Sequence, residues 1–593
     1  MTSTSLPSAT GEPVLKQRWL LPVIDAALAS QLSAAAAVPP LIAELLLDRG
    51  VNSAEEAVRF LHPQFDHLLD PFSMHGMRTA VARIQAAILS REPILIYGDY
   101  DVDGTTAVVL LKTAIEMLGG EVSFHVPHRL REGYGMQASV LETAHAAGVR
   151  LVISVDTGMR AFAEAEVAEA LGLDLIVTDH HLPEAGLELP RALAILNPNQ
   201  PCCGYDCKHL CGAGVAFKLA QALLEAEDRE RARARILPSF LKMLVLATVA
   251  DSVPLIGENR VIASLGLEQL QRPAGAGLRA LMRQAKLDPA RRALTTTDIG
   301  FRLAPRVNAA GRMDVASDVV ELFTTRDSGR ALELAEKLEK LNADRKQTEL
   351  AALEDIERRL VEDDDLREAR CLVIEGQDWH RGVIGILASR VVDRASRPAI
   401  VIALEDGQAY GSGRSVPGFH LLNAIESCAD LFTRFGGHAF AVGFALPAER
   451  VAELRSRLAL YASTHLEPSL LVKTIECHGM LPLSDISKEF YGWLRQLEPF
   501  GMGNPEPTFV ARDVRLAMSP RVMKERHLRL MLAGGPGGRN ISALGWPWAD
   551  RASQMGLAEG SVVDIAYHLR LNEHPDFGGL ELEIVALELA IAE

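Results

Sequence analysis

The first residues with chemistry to offer are three aspartates spaced two apart, Asp99, Asp101 and Asp103, in the stretch DYDVDG that closes the apolar run Pro93 to Tyr97. On an extended backbone alternate residues share a face, so the three carboxylates would crowd one side. Carboxylates that close repel one another unless cations sit among them, and oxygen-rich sites suit Mg2+ or Mn2+. Taken alone, the stretch reads equally well as a solvated Asx-rich turn. Two further apolar runs end in the same way: LVISVDTG delivers Asp156, and LIVTDHH delivers Asp179, His180 and His181. Asp251 follows the apolar stretch FLKMLVLATVA. An acid at the end of a buried helix is opposed by the helix dipole and needs a compensating cation, which makes Asp251 a candidate metal ligand. Histidine beside carboxylate admits Mn2+, Zn2+ or Fe2+ as well as Mg2+, so the spacing does not name the metal.

The elements that must position these groups follow from the patterning. From residue 91 strand-like and helix-like runs alternate: ILIYG, a helix from Gly104 to Met117, VSFHVP at 122–127, a helix near 137–147, LVISVD at 151–156, a helix near 160–171, then LDLIVTDHH. That alternation predicts a parallel sheet covered by helices on both faces. In such sheets ligands bind outside the carboxyl ends of the strands, where helix N-termini favour oxyanions. Residues 253–330 read as helices and loops ending in RLAPRVNAAGRMD, where Arg306 and Arg312 bracket a small-residue turn that a ligand could approach; guanidinium forks match phosphate. Residues 330–362 are densely charged without Gly or Pro, which predicts one long exposed helix connecting two lobes. A second α/β pattern follows, CLVIEG at 371–376 and PAIVIALE at 398–405. Two glycine-rich segments then offer Arg414, Ser415 and His438 as donors in a substrate clamp. From about residue 475 short β-type runs predict a small five-stranded barrel, with Trp546, Trp548 and Tyr567 available to stack on bases of a single strand.

At 593 residues the chain implies three or four domains. It shows no run of about eighteen uncharged apolar residues and no signal-peptide order at its start, so a cytoplasmic protein without a membrane span is expected. Seven cysteines are an odd count, and Cys202, Cys203, Cys207 and Cys211 match no common paired zinc spacing. The net charge of −16 argues against indiscriminate coating of nucleic acid, but a local basic groove inside an acidic protein still binds a strand. Two stretches qualify, Arg283 to Arg312 and Arg512 to Arg529.

With those residues in place, the chain resembles the DHH phosphoesterase superfamily, and within it the branch of single-strand-specific 5′-to-3′ DNA exonucleases. The resemblance rests on YGDYDVDGTTA, SVDTG, TDHH, ATVADSVPL, NAAGRM, GSGRSVPGFHL, FGGHAFAVGF and PFGMGNPEP, in that order, rather than on DHH alone. Tyr97 stands where the pyrophosphatase and cyclic-dinucleotide branches have histidine, and Asp99 lies inside the motif. The resemblance implies five regions. These are a small helical N-terminal segment (1–75), a DHH catalytic domain (76–330), a connecting helix (331–365), a DHHA1 clamp (366–470) and an OB-like barrel (471–593). It implies two divalent ions, Mn2+ or Mg2+. Asp101 and Asp156 would hold one, with Asp99 near it; Asp103, His180 and Asp251 would hold the other, Asp156 bridging. Asp179 and His181 would orient ligands or touch substrate. Arg129, Arg306, Arg312, Arg414, Ser415 and His438 would contact substrate phosphates. Single-stranded DNA is the implied substrate, in repair and recombination, with a helicase and a single-strand-binding protein as partners of a monomer. The alternatives are an enzyme of the same fold acting on short oligonucleotides or cyclic dinucleotides, and a non-catalytic replication scaffold.

Overall fold

The computed structural model describes residues 18–590 except 130, 134, 185, 274, 314–315, 468–473 and 575–577; the expected polar tail at the start of the chain lies outside the described residues. The chain divides into two compact units, one of residues 51–343 with 496–506, the other of residues 18–50, 344–495 and 507–590.

The first unit is built on five parallel strands, β1 (Ile94–Tyr97), β2 (Val122–His125), β3 (Leu151–Val155), β4 (Asp174–Thr178) and β5 (Ala194–Leu196), in the spatial order β2-β1-β3-β4-β5. Side chains alternate across a sheet, and both faces here are buried, which is why the strands read as continuous apolar runs. Ile94, Ile96, Ile153 and Ile176 enter one core, and Leu95, Tyr97, Val152 and Val177 enter the other. The helices α1 (Val102–Met117), α2 (Ala138–Ala146) and α3 (Phe162–Ala170) cross between strands. Beyond β5 come α4 (Gly212–Arg231), α5 (Leu237–Ala250), α6 (Gly257–Leu270), α7 (Ala276–Gln284), α8 (Ala304–Met313) and α9 (Ser317–Thr324). The strand order reverses between β1 and β3, and that switch point is where open α/β sheets place their ligands.

Helix α10 (Ser328–Glu362) is a single 35-residue helix, as the absence of Gly and Pro over 330–362 predicts, but it is not exposed all round. Ala331, Leu334, Ala335 and Leu338 are buried in the core of the first unit, and Ala352, Leu353, Ile356 and Leu360 in that of the second. The charged residues hid an apolar stripe at helical spacing.

In the second unit β6 (Leu372–Gly376), α11 (Ile384–Ala395), β7 (Ala399–Glu405), β8 (Gln408–Arg414), β9 (Arg434–His438), β10 (Ala441–Pro447) and α12 (Val451–His465) build a mixed sheet of order β9-β10-β8-β7-β6. The last strands are β11 (Gly479–Met480), β12 (Phe509–Arg515), β13 (Arg521–Met523), β14 (His527–Leu532), β15 (Ile541–Gly545), β16 (Val562–Asn572) and β17 (Gly579–Leu589). They run β11-β12-β16-β17-β15-β14-β13. The Ala533 N–H donates to the Arg515 carbonyl at 2.9 Å and the Ala517 N–H to the Met531 carbonyl at 2.8 Å, closing the five central strands into a barrel. Strand Arg18–Leu20 pairs in parallel with Thr474–Glu476. The aromatic expectation is corrected here. Tyr567 is wholly buried with its hydroxyl donating to the Leu481 carbonyl at 2.7 Å, and Trp548 is buried too. Of the three, Trp546 alone is exposed.

No single described helix is long and apolar enough to cross a membrane; helices Ala26–Ala36 and Pro40–Asp48 reach the threshold only when joined across a 111° bend.

Candidate metal centre

Each acidic residue leaves the carboxyl edge of the sheet by a different device. Asp99 follows β1 directly. Asp101 is the N-cap of α1, its Oδ1 accepting from the Gly104 N–H at 3.0 Å. Asp103 already lies in the first helical turn, so the three aspartates are not gathered by an extended backbone; the chain coils after Asp101. Asp103 is fixed instead from outside, by the first two amides of α4. The Gly212 N–H reaches Oδ2 at 2.6 Å and the Ala213 N–H reaches Oδ1 at 2.8 Å. A helix N-terminus favours a carboxylate there.

Asp156 follows β3 in the left-handed region at φ 59° while its N–H stays bonded to the Thr178 carbonyl at 2.9 Å. Non-glycine residues adopt that conformation at a cost of roughly 1–3 kcal/mol, and such outliers cluster at functional sites. Gly212 is required opposite it, since a Cβ at 212 would stand 2.4 Å from Asp156 Oδ1. Asp179 is held on every side. Its Oδ1 accepts from the His180 N–H (2.7 Å), the His181 N–H (3.1 Å) and His181 Nδ1 (2.7 Å), and its Oδ2 from the Met159 N–H (2.9 Å). It therefore holds the His181 ring and the backbone at His180, and has no oxygen left over. Asp251 is the C-cap of α5, as the sequence predicts.

These groups converge. Ligand atoms of Asp99, Asp101 and Asp156 lie within 4.8 Å of one another, and so do those of Asp103, His180 and Asp251, and of Asp156, His180 and His181. His180 is central: its Nε2 stands 3.3 Å from Asp156 Oδ1 and 3.8 Å from Asp103 Oδ2, and its Nδ1 3.8 Å from Asp251 Oδ2. The electrostatics are those of anions that lack counter-charge. Burial, reinforced by Asp101, pushes the Asp99 carboxyl up to about 8. Burial together with Asp103 and Asp101 pushes Asp251 up to about 9 and Asp156 well above the carboxylate range. Burial also works to raise Asp179, but its hydrogen bond to His181 prevails and holds it below the usual value. His181 is raised to about 9 by that same bond, against the opposing pull of burial. Asp99 Oδ1 and Asp156 Oδ1 are buried with no hydrogen-bond partner; the 3.3 Å approach of His180 to the latter is not aligned as a bond. Unpartnered buried carboxylate oxygens beside imidazole nitrogen are the donor set a divalent cation takes.

The clusters line a cleft of about 320 Å³ whose rim carries Tyr100, Arg129, Asn308 and Arg312. Arg129 stands over the Tyr100 ring at 5.2 Å. Asn308 and Gly311 were not read as site residues in the sequence. Asn308 Oδ1 accepts the Val102 N–H at 3.1 Å, and a Cβ on Gly311 would meet the Tyr100 carbonyl at 2.3 Å. The small residues of NAAGRM thus form a helix that lies against the acidic turn, not a turn open to ligand. Arg306 is not brought to the cleft. It is buried, paired with Glu339 and bonded to the Arg302 carbonyl, because it anchors α8 to α10.

In the second unit Arg414 ends β8 and His438 ends β9, both opposite Ala441 of β10. Ser415 donates to the Phe419 carbonyl at 2.6 Å, and the His438 ring is held below its ordinary value by burial and by Arg414. The cysteine cluster stays outside every grouping of metal-binding geometry among the described residues. Cys202 is exposed, and Cys211 is buried at the start of α4.

Comparison with known proteins places these regions. The profile of the DHH family N-terminal domain matches residues 93–248, that of the DHHA1 domain residues 368–464, and that of the RecJ OB domain residues 477–586. The chain is 38% identical over 561 residues to the single-stranded-DNA-specific exonuclease RecJ of Bacillus subtilis, covering 94% of this chain and 69% of that protein. The chain belongs to the RecJ family. The Escherichia coli RecJ exonuclease is 36% identical over 575 residues, 93% of this chain and 96% of that one. The crystal structure of Thermus thermophilus RecJ in complex with Mn2+ superposes with a TM-score of 0.81 at 29% identity, covering 97% of this chain and 80% of that one. The α/β DHH region, the DHHA1 region and the barrel are therefore RecJ architecture in the RecJ order.

Proposed function

We propose that this RecJ-family chain is a 5′-to-3′ exonuclease that hydrolyses the phosphodiester bonds of single-stranded DNA with two divalent cations, Mn2+ or Mg2+, in repair and recombination. The observation that carries the reading is the cluster of five buried or half-buried acids around His180, two of whose oxygens have no partner. Asp101, Asp156 and Asp99 would hold one ion, and Asp103, His180 and Asp251 the other, with Asp156 between them. When bound, such ions activate a water as nucleophile and stabilise both the attacking and leaving oxygens of an in-line displacement.

The chain's own residues supply the rest. The α4 amides keep Asp103 in place, Asp179 fixes the His181 ring and the backbone at His180, and the left-handed backbone at 156 aims that carboxylate inward. Arg129 and Arg312, which line the cleft, would take the strand's phosphates as bidentate partners. Arg414, Ser415 and His438 are assigned to phosphates further along the strand. Arg306 is omitted, its guanidinium being committed to Glu339. In the barrel the exposed Trp546, together with Arg515, Arg521, Lys524 and Arg526, which are exposed on the same barrel, suits a sequence-tolerant grip on bases and backbone. The reading includes a cytoplasmic monomer that receives its strand from a helicase and a single-strand-binding protein.

The test compares 5′-labelled and 3′-labelled single-stranded and duplex DNA, with Mn2+, with Mg2+ and with EDTA. Early release of the 5′ label from single strands alone, abolished by EDTA and by Asp103→Ala, is expected. Early release from the 3′ end would reverse the polarity, and undiminished cleavage by Asp103→Ala would remove the metal assignment.

A further inference from the structure

Apart from Arg312 of the metal cleft, the basic residues from Arg279 to Arg306 fall into two groups that the sequence does not distinguish. Arg292 pairs with Asp298 at 2.6 Å, Arg302 reaches Asp298 and the Lys286 carbonyl, and Arg306 is buried. These three are structural. Arg279, Arg283, Lys286 and Arg291 are exposed and line a separate cavity of about 460 Å³ at the end of α7, with Met282 and Leu287 behind them. Its single acid is Asp288, 3.1 Å from Arg291. Among the described residues, the side chains of Arg283 and Lys286 have no ion-pair or hydrogen-bond partner. Lys286 stands in the left-handed region at φ 54°, capping α7, and Arg302 ties the two last carbonyls of that turn back toward α8.

In a chain of net charge −16 four exposed cations against one acid form a local inversion of sign. It is also tied through one helical run to a residue of the metal cleft. Arg302 holds the α7 end at one end of the helical run and Arg312 lines the metal cleft at the other, about 15 Å apart at 1.5 Å per residue. A single strand covers that distance in a few nucleotides.

We propose that Arg279, Arg283, Lys286 and Arg291 form an accessory phosphate-binding site for the DNA strand, outside the metal cleft on the same unit. It deepens the nuclease reading and rests on it. Guanidinium forks and an ammonium facing water suit a polyanionic backbone and carry no base specificity. The site raises affinity for strands long enough to reach it and leaves bond cleavage untouched.

The experiment uses the full chain with Mn2+ and the double variant Arg283→Glu/Lys286→Glu, with Arg283→Gln/Lys286→Gln as the milder second pair. Long single-stranded DNA and a dinucleotide are each assayed for binding by anisotropy and for cleavage by label release. Expected for the long strand are a KM and dissociation constant raised about tenfold and a log–log salt slope shallower by about 1.4, from two contacts at roughly 0.7 each. Dinucleotide hydrolysis and the thermal midpoint are expected to be unchanged. An unaltered salt slope with the long strand would overturn the proposal, as would equal losses on both substrates. Displacement of the long strand by an acidic peptide more readily than by an oligonucleotide of equal charge would reassign the site to a protein partner. Because binding is read apart from cleavage, failure of this site is distinguishable from failure of the nuclease reading.

Discussion

Replacing Gly311 by alanine pits a local gain against a longer-range cost. Within the helix α8, alanine is favoured over glycine by up to about 1 kcal/mol. The new Cβ, however, would stand 2.3 Å from the Tyr100 carbonyl oxygen and 3.1 Å from its carbon. Both partners are backbone, so no rotamer relieves the contact, and α8 and the acidic turn must part by roughly 0.7 Å to bring the oxygen to 3.0 Å. Overpacking of this kind costs about 1–3 kcal/mol, so the net expectation is a loss of up to about 2 kcal/mol. The activity should suffer more than the stability. The same helix presents Asn308 to the Val102 N–H and Arg312 to the cleft, and the displaced turn carries Asp99, Asp101 and Asp103. Misplacement by about 1 Å can cost 100-fold in rate, so kcat for label release should fall by roughly 10- to 100-fold with KM for the strand little changed. A Gly311→Ala enzyme with undiminished kcat and a raised thermal midpoint would refute the claim that α8 sets the geometry of the turn.

Asp179→Asn should weaken activation by Mn2+ by about 10- to 100-fold, read as the half-saturating metal concentration, since it loosens the His181 ring and the backbone at His180 without removing a ligand. Arg260→Met strips the donors from the carbonyls of Phe60, Gln496, Leu497 and Glu498, all within one unit, and should lower the thermal midpoint by an amount corresponding to about 3 kcal/mol or more; an unchanged midpoint would contradict it. In EDTA, Asp99 and Asp251 have folded-state values near 8 and 9, above the unfolded carboxylate value, so their contribution is full below about pH 4 and lost as pH rises through 8 to 9. Metal-free protein should therefore melt at progressively lower temperature across that window, and Mn2+ should remove the trend. Trp546→Ala should weaken single-strand binding by about 1–3 kcal/mol with little effect on melting, and Tyr567→Ala should do the reverse.

The sheet and its acids were legible because a parallel strand buried on both faces leaves an unbroken apolar run, and the first polar residue after it marks the sheet edge. Asp99, Asp156 and Asp179 announce themselves in that way, and Asp251 does so by ending an apolar helix. The groups that hold them did not. The Gly212 and Ala213 amides, Asn308 and Gly311 act from more than a hundred residues away, and backbone donors carry no residue signature. Arg306 and Arg312 look alike in sequence, six positions apart, yet one is buried against Glu339 and the other lines the cleft. Trp546 and Trp548 are likewise two apart, one exposed and one buried. Charge and aromaticity mark what a side chain could do; only tertiary burial decides which surface receives it.

The parallel pairing of Arg18–Leu20 with Thr474–Glu476 bears on the order of events during synthesis. Trp19 lies opposite Ile475, 456 positions later in the chain, so at about 5–20 residues per second the first strand waits roughly half a minute to a minute and a half for its partner to emerge. Almost the whole of the acid-bearing unit is translated within that interval. The strand made first is thus among the last to be sheltered, and until then its edge is open to whatever other extended chain the ribosome's surroundings supply.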